Sequence, residues 1–194
     1  MSKVKLSDIC DIKSGGTPSR SNSEYWTDGN IPWVKISDFN GKYINNTTEY
    51  ITKVGMEKSS AKMVEKGSIL YTIFATLGEV SILNIDATTN QAIAALTIKS
   101  DNVNRDYLYY FLVSLKGYVE EIGRGVAQNN INLTILKNFE IPLPPLETQK
   151  QIAANLDKVT HTINLCNVIL EKLDLLVKSR QVGELLFTFE EVAV

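Results

Sequence analysis

Hydrogen-bonding side chains with little apolar content are concentrated in four segments of this sequence. Each segment contains glycines, hydroxyls or amides, and three of the four also contain a lysine or an arginine. The candidate residues are Lys13, Thr17, Ser19 and Arg20; Lys35, Ser37, Asp38 and Asn40; Thr76, Gly78, Asn90 and Gln91; and Arg124, Gln128 and Asn129.

These residue types have the chemistry that recognises DNA. Glycines let backbone amides approach a phosphate closely, and hydroxyls and guanidinium groups supply hydrogen-bond donors. Arginine can form two hydrogen bonds with guanine, and asparagine or glutamine can form two with adenine. For each segment, hydrogen bonding within its own loop is an equally good explanation. Four such segments together favour a recognition function.

A constellation of catalytic residues is not found in the sequence. The single histidine, His161, falls on the outward face of a predicted helix. Phosphate-binding, dinucleotide-binding and nucleophile-elbow motifs do not occur. Glu79 and Asp86 with Lys99 would be needed to converge for a two-metal nuclease, but scattered acidic residues are typical of ordinary surface charge. We therefore predict a non-catalytic protein that uses no cofactor.

The charge and the cysteines narrow the class of protein further. A net charge of −2 argues against a polycationic binder that ignores sequence. Basic and acidic residues balance in residues 1–140, so this part is the better candidate for binding DNA. Cys10 and Cys166 lack the spacing of a zinc site, and reduced thiols in a cytoplasmic protein without a membrane span are expected.

Short strands dominate the first part of the chain, with helices between them. Strands are predicted for residues 31–36, 67–74, 78–83 and 92–98, with Thr76 and Gly78 in a turn and Asn90–Gln91 opening the last strand. An amphipathic helix is predicted from Asp106 to about Ile122, followed by a loop at 123–130. This order of elements favours an α+β fold with a mixed sheet.

A proline-rich joint, Ile141–Pro145, separates this part from one long predicted helix. Apolar residues recur in it at alternating intervals of four and three residues, which is the pattern of a coiled coil about 39 Å long. Ile169 and Leu176 widen the apolar face beyond that seam. The seam, which predicts pairing with a partner helix, consists of Ile152, Leu156, Val159, Ile163, Cys166, Leu170, Leu173 and Val177.

Several segments, taken together, resemble the DNA specificity subunits of type I restriction-modification enzymes. The joint and the start of the helix, Ile141–Gln149, carry the most specific part of the resemblance. The other similar stretches are Leu6–Asp11, Gly16–Ser19, Ile31–Val34, Ile51–Thr52 with Gly55, Lys66–Leu70, Thr76–Gly78 and Asn90–Gln91.

The resemblance implies a DNA target recognition domain at residues 1–145 and a dimerisation or spacer helix at 146–190. Members of this family usually carry two such domains and two antiparallel helices, and they dock a methylation subunit and a motor-nuclease subunit. Because this sequence contains one domain and one helix, two copies paired through antiparallel helices would read an inverted repeat in double-stranded DNA. A piece of a longer subunit would look the same.

Two other classes of protein stay open at this point. One is a stand-alone DNA methyltransferase or nuclease fragment, which would bind S-adenosylmethionine or cleave DNA with a metal ion. The other is a coiled-coil adaptor whose first domain binds protein or RNA.

Overall fold

The computed structural model describes residues 3–124 and 131–191, with the side chains at 123–124 and 180–191 outside that description. Internal contacts divide the chain into two units, Met1–Lys150 and Gln151–Val194. The described part of the first unit combines strands and helices, which confirms the α+β prediction. A single helix makes up the described part of the second unit and begins within the first.

Ten short strands lie in the described part of the first unit. In chain order they are β1 (Lys3–Lys5), β2 (Cys10–Ser14), β3 (Ile31–Val34), β4 (Tyr43–Ile44), β5 (Tyr50–Ile51), β6 (Ile69–Thr72), β7 (Val80–Leu83), β8 (Thr88–Thr89), β9 (Ile93–Ile98) and β10 (Glu140–Pro142). The α-helices are α1 (Leu6–Ile9), α2 (Lys53–Glu57), α3 (Arg105–Ser114), α4 (Lys116–Arg124), α5 (Leu133–Lys137) and α6 (Leu146–Glu191).

The strands form three sheets. The largest has the order β2-β9-β6-β7-β4, in which β4 runs parallel to β7 and the other neighbours are antiparallel. A second sheet has the order β5-β3-β8, and β1 pairs with β10. All residues of β6 and β7 are buried, and Leu70 and Ile93 pack in one apolar cluster with Val34 and Leu83. Burial of this apolar surface is the main stabilising contribution to the fold.

The four predicted strands are confirmed, the one at 31–36 in the second sheet and the other three in the large sheet, and each is shorter than expected. The strand at 31–36 ends at Val34, because the Asp38 side chain accepts a 3.0 Å hydrogen bond from the Lys35 amide and starts a 3-10 turn at Ile36–Asp38. Lys13 belongs to β2 instead of a loop, and Asn90 and Gln91 precede β9 instead of opening it. The observed bounds differ from the predicted ones because local side-chain hydrogen bonds and strand pairing decide where each strand begins and ends.

The helix predicted from Asp106 to Ile122 is in fact two helices, α3 and α4. The amide of Leu115 donates to the carbonyl of Leu112, three residues back, at 3.1 Å. A hydrogen bond that spans three residues instead of four tightens the last turn of α3, and α3 ends there before α4 begins. The prediction of a loop at 123–130 is wrong for its first two residues, because α4 continues to Arg124. Residues 125–130 lie outside the described part.

Helix α6 starts directly after the proline joint and is anchored by Gln149. The Gln149 side-chain nitrogen donates to the carbonyls of Pro144 at 2.8 Å and Asn102 at 2.9 Å, and its oxygen accepts from the amide of Asn104 at 2.8 Å. These three hydrogen bonds satisfy a side chain that is fully buried. None of the described helices is both long enough and apolar enough to cross a membrane.

Candidate nucleic-acid interface

Three of the four segments that carry predicted recognition residues meet at one end of the five-stranded sheet. Ser14, the last residue of β2, lies opposite Ala94, near the start of β9, and Thr72, at the end of β6, lies opposite Ile93. Tyr71 in turn lies opposite Val80, the first residue of β7. The end of β2, the turn between β6 and β7 and the segment before β9 are therefore neighbours.

The second sheet brings the segment after β3 to the same place. The amide of Asn90 donates to the carbonyl of Val34 at 3.0 Å, so Lys35 follows a residue bonded to the segment before β9. The amide of Gly16 donates to the carbonyl of Thr89 at 2.8 Å. Three of the four sequence-predicted segments thus lie together, although they are separated widely along the chain.

Thr17 and Gln91 connect two of these segments directly. The Thr17 hydroxyl donates a hydrogen bond to the side-chain oxygen of Gln91. Asn90 is tied locally, because its side-chain oxygen accepts from the amide of Ala92 at 3.1 Å. Gly15 allows the close approach, since a Cβ atom at this position would overlap the carbonyl oxygen of Thr89. The hydrogen bond thereby fixes the position of the Thr17 hydroxyl relative to the Gln91 side-chain amide.

Arg20 is held over two tryptophans. Its guanidinium carbon lies 3.6 Å from the ring centroid of Trp26 and 4.8 Å from that of Trp33. The two indole rings are perpendicular, with centroids 5.2 Å apart. Arg20 also forms a 2.5 Å ion pair with Glu49, whose other carboxylate oxygen lies 2.5 Å from Lys35. Stacking and ion pairing preorganise a guanidinium that is still half exposed.

Lys35 and the residues after it border a polar hollow of about 480 Å³. Asp38 is buried there, and its carboxylate accepts hydrogen bonds from the hydroxyls of Thr47 at 2.9 Å and Thr48 at 3.2 Å. These contacts engage Asp38 in shaping the loop, whereas the neighbouring Ser37 and Asn40 are exposed. The residues that line the hollow are Lys35, Ser37, Asp38, Asn40, Asn46, Thr47 and Thr48.

The turn between β6 and β7 is closed by hydrogen bonds to the Thr72 side chain and presents Thr76 to solvent. The Thr72 hydroxyl donates to the carbonyl of Thr76 and accepts from the amide of Glu79 at 2.9 Å. Gly78 has a φ of +78°, a conformation that glycine adopts without strain, and it packs closely on Lys116. Thr76 is therefore available for contact, while the buried Gly78 serves the backbone.

The remaining predicted residues fall in different places. Ser19 is exposed and its hydroxyl lies 2.8 Å from that of Ser21, within the first loop. Lys13 is exposed on β2, opposite Ala95 and farther from the strand ends. The side chain of Arg124, together with Gln128 and Asn129, lies outside the described residues.

Glu49 and Trp26 belong to the site but were not predicted. Glu49 precedes β5 and is 26% exposed at its side chain. Partial burial would raise the pKa of Glu49, but hydrogen bonds from Arg20 and Lys35 outweigh it and lower the pKa below its usual value. Only tertiary contacts identify these residues, since an isolated acidic residue in a polar loop gives no signal of its own.

Two further ion pairs flank the same end of the sheet. Lys42, just before β4, lies 2.8 Å from Asp106, and Lys116 lies 2.5 Å from Glu79, just before β7. The hydrogen bond from Lys116 to Glu79 raises the pKa of Lys116. Several cations near the candidate interface are therefore already balanced by acidic side chains of the protein itself.

The carboxylates considered for a nuclease site are far apart in the topology. Glu79 lies before β7, whereas Asp86 lies beyond its other end and accepts a 2.7 Å hydrogen bond from the Lys66 amide. Lys99 is 3.6 Å from Asp11 instead. Within the described residues, no group of three or more histidine, cysteine or acidic side chains is arranged to hold a metal ion.

The apolar seam of helix α6 is exposed along its described length. The exposed fraction of its aliphatic residues runs from 36% at Ile152 to 59% at Leu170, and Cys166 is exposed as well. Leu165, Val168 and Leu175, which lie off the seam, are also exposed. Burial of such a surface would be strongly favourable, which makes the seam a candidate contact surface.

Residues 1–175 match the type I restriction modification DNA specificity domain, and the chain belongs to this family. It is 34% identical over 179 residues to the type I restriction enzyme MjaIX specificity subunit of Methanocaldococcus jannaschii, covering 88% of this chain and 41% of that protein. It is 29% identical over 197 residues to the EcoR124I/EcoR124II specificity subunit of Escherichia coli, covering 95% of this chain and 47% of that protein.

A solved structure shows the same fold. The HsdS subunit from Thermoanaerobacter tengcongensis is 28% identical, with a TM-score of 0.66 over 84% of this chain and 38% of that one. A chain from a structural study of complex assembly and conformational transition of the type I R-M system matches with a TM-score of 0.68 and 28% identity, over 84% of this chain and 39% of that one. The chain spans less than half the length of the curated relatives described above.

Proposed function

We propose that this chain is a non-catalytic, sequence-specific DNA-recognition subunit of a type I restriction-modification complex. It reads one half of a bipartite DNA site and directs methylation and restriction subunits to that site. The single observation that carries this proposal is the convergence of three polar loops at one end of a rigid sheet. The relatives named as specificity subunits support it.

The dimensions of the convergence suit the major groove. Five strands spaced about 4.8 Å apart give a sheet end about 19 Å wide. B-DNA presents a major groove about 12 Å wide, flanked by phosphates.

In our assignment, Arg20, Gln91 and Asn40 supply groups for base edges, and Thr17, Ser19, Ser37, Lys35 and Thr76 contact bases or backbone from the rim. Asp38, Gly78 and Asn90 hold the loops that present them, and Lys13, Arg124, Gln128 and Asn129 stay candidates for further DNA contacts.

In this proposal, residues 1–145 form the target recognition domain and residues 146–190 the spacer helix. The seam from Ile152 to Val177 pairs with the antiparallel helix of a second copy. Two copies related by a two-fold axis then read an inverted repeat with a fixed spacer. The wide apolar surface supports this pairing, and the off-seam residues Ile169 and Leu176 are proposed to dock the methylation subunit.

The affinity for DNA is shared with the partner subunits. Because the candidate interface carries several internally paired cations, it offers few free charges to phosphates. The methylation and motor-nuclease subunits then supply much of the phosphate contact. A complex of this kind acts on DNA in the cytoplasm.

Selection of bound sequences from a pool of random duplexes tests the recognition proposal. The chain is used alone and together with methylation subunits of a type I system, and the expected result is one enriched split motif. Enrichment of no motif under either condition contradicts DNA recognition. Binding of S-adenosylmethionine or metal-dependent cleavage by the pure chain would restore the enzyme alternative, and binding of RNA or protein alone would favour the adaptor.

The solution mass of the pure chain, measured by light scattering across concentrations, tests the pairing. A dimer supports the antiparallel seam and leads us to expect a palindromic split motif. A monomer at all concentrations contradicts the homodimer and points to a helix that pairs with another polypeptide or with another part of a longer chain.

A further inference from the structure

One carboxylate of the candidate interface is shared by two cations. Glu49 Oε2 lies 2.5 Å from Arg20 Nη1, and Glu49 Oε1 lies 2.5 Å from Lys35 Nζ. Both cations come from loops that we assign to DNA recognition, whereas Glu49 comes from a third segment of the chain, next to β5. The arrangement resembles the way a phosphate group is held by two basic residues.

The position of this carboxylate is fixed by the backbone. The carbonyl of Glu49 accepts a 2.9 Å hydrogen bond from the amide of Trp33, and the next residue, Tyr50, pairs with Pro32 in the second sheet. Arg20 is fixed from the other side by its stacking on Trp26. The geometry is therefore different from that of a loose surface ion pair, in which both side chains are free to separate.

An anion fixed in this way competes with DNA phosphates. Non-specific binding depends on neutralising phosphates with free cations, and the affinity falls with salt according to the number of cations engaged. The pKa of Glu49 is held below its usual value by Arg20 and Lys35, so the carboxylate is ionised at neutral pH. A phosphate has to displace it before either cation contributes.

We propose that Glu49 is a specificity-determining residue that acts as an internal counter-anion and suppresses binding to non-target DNA. The inference rests on the proposed function and deepens it. Random-sequence DNA offers only phosphates to Arg20 and Lys35 and does not repay the loss of the Glu49 contacts. In a target complex Arg20 donates to a base edge with its remaining N–H groups and keeps its contact with Glu49, so the fixed carboxylate penalises random DNA alone and widens the difference in affinity between the two.

The test compares Glu49→Gln with Glu24→Gln in the full chain. Glutamine keeps the size of Glu49 but removes its charge, and Glu24 is an exposed acidic residue on the 3-10 turn Ser23–Tyr25, so its variant loses the same charge nearby. The probe is a labelled random-sequence duplex, titrated between about 50 and about 200 mM salt. Far-UV circular dichroism and urea midpoints establish that both variants are folded, and Glu49→Ala provides a second variant.

We expect Glu49→Gln and Glu49→Ala to bind the random duplex about tenfold more tightly than the unsubstituted chain at low salt. Their plots of log affinity against log salt should be steeper by about 1 to 2, since one or two further cations engage phosphates. Sequences selected by these variants from a random pool should show a weaker motif. Glu24→Gln should change none of these properties by more than about twofold.

Unchanged affinity and salt slope in both Glu49 variants would overturn the inference, as would an equal change in Glu24→Gln, which would indicate net charge alone. These results leave the recognition proposal intact if the unsubstituted chain still selects a motif. If the unsubstituted chain and the variants neither bind duplexes nor select a motif, both proposals fail. If the Glu49 variants bind the random duplex and the unsubstituted chain does not, the inference is supported.

Discussion

The indole nitrogen of Trp33 donates a 2.9 Å hydrogen bond to the carbonyl oxygen of Gly16 in the interior of the protein. Trp33 lies on β3, and Gly16 lies in the loop after β2, so this bond joins the second sheet to the loop that carries Thr17 and Arg20. The same ring lies beneath the Arg20 guanidinium. One buried side chain therefore positions two candidate recognition residues.

Substitution Trp33→Phe is expected to lower the free energy of unfolding by about 2 kcal/mol, because the Gly16 carbonyl loses a buried partner. Binding of the selected DNA motif should weaken as well, since the loop is less well positioned. Urea denaturation and DNA titration measure the two effects. Trp26→Phe is the matched control, because the hydrogen bond of Trp26 to Ser19 is exposed. An equal loss of stability in both variants would contradict this role of Trp33.

Substitution Arg20→Ala should reduce the affinity for the selected motif more than that for random DNA. If the guanidinium reads a guanine, the discrimination lost is about 1–3 kcal/mol. Stability should change little, because this side chain is half exposed. Lys13→Ala, on β2, is the control and should affect both DNA types equally. Equal losses for motif and random DNA in Arg20→Ala would assign Arg20 to phosphates.

Substitution Gln149→Ala is expected to destabilise the first unit by about 2 kcal/mol, because two carbonyls and an amide lose a buried partner. Thermal unfolding followed by circular dichroism measures the effect. Lys150→Ala is the control, since its ion pair with Glu147 lies on the surface and contributes little. A melting temperature for Gln149→Ala equal to that of Lys150→Ala would show that the buried amide is dispensable.

Substitution Ile163→Asp should convert a homodimer into a monomer, because it places a charge at the centre of the proposed seam. Light scattering at matched concentrations measures the mass. His161→Asp, two residues away on the outward face of the heptad pattern, should leave the dimer intact. Dissociation by both variants, or by neither, would contradict the assigned seam.

The two thiols should differ in their reaction with iodoacetamide. Burial raises the pKa of Cys10 to about 12, so at pH 8 this thiol is neutral and shielded, and it gains reactivity only as the pH rises towards that value. Cys166 is exposed on α6 and should react at low protein concentration. Pairing of the seam should protect Cys166 at high concentration. Mass spectrometry of the labelled peptides measures both rates. A labelling rate of Cys166 that does not change with protein concentration would argue against burial of this residue in a dimer.

Much of the fold was predictable from local patterns. The β-branched and aromatic content of Ile69–Thr72 and Ile93–Ile98 predicts buried strands, and the prolines followed by a heptad pattern predict the joint and α6. Six strands, β1, β2, β4, β5, β8 and β10, were not predicted, and β4, β5 and β8 among them have only two residues each. Two residues carry too little pattern, and these strands exist because their neighbours supply hydrogen-bonding partners.

The candidate site was predictable only as separate segments. Side-chain chemistry singled out Thr17 and Gln91, but their hydrogen bond depends on strand pairing between residues 74 positions apart. Asp38 has the same chemistry as an exposed recognition residue, yet it is buried among Thr47, Thr48 and the Lys35 amide. The sequence shows which hydrogen-bond donors and acceptors are present. It does not show which of them form hydrogen bonds within the protein and are therefore unable to contact DNA.

The sequence by itself determined the class of fold, the joint at Ile141–Pro145, the apolar periodicity of α6 and the family resemblance, because these depend on residue types at short spacings. Only the tertiary structure decided that three distant loops share one sheet end and that Glu49 lies between Arg20 and Lys35. The physical reason is that strand register and side-chain burial depend on non-local packing, which no short stretch of sequence encodes.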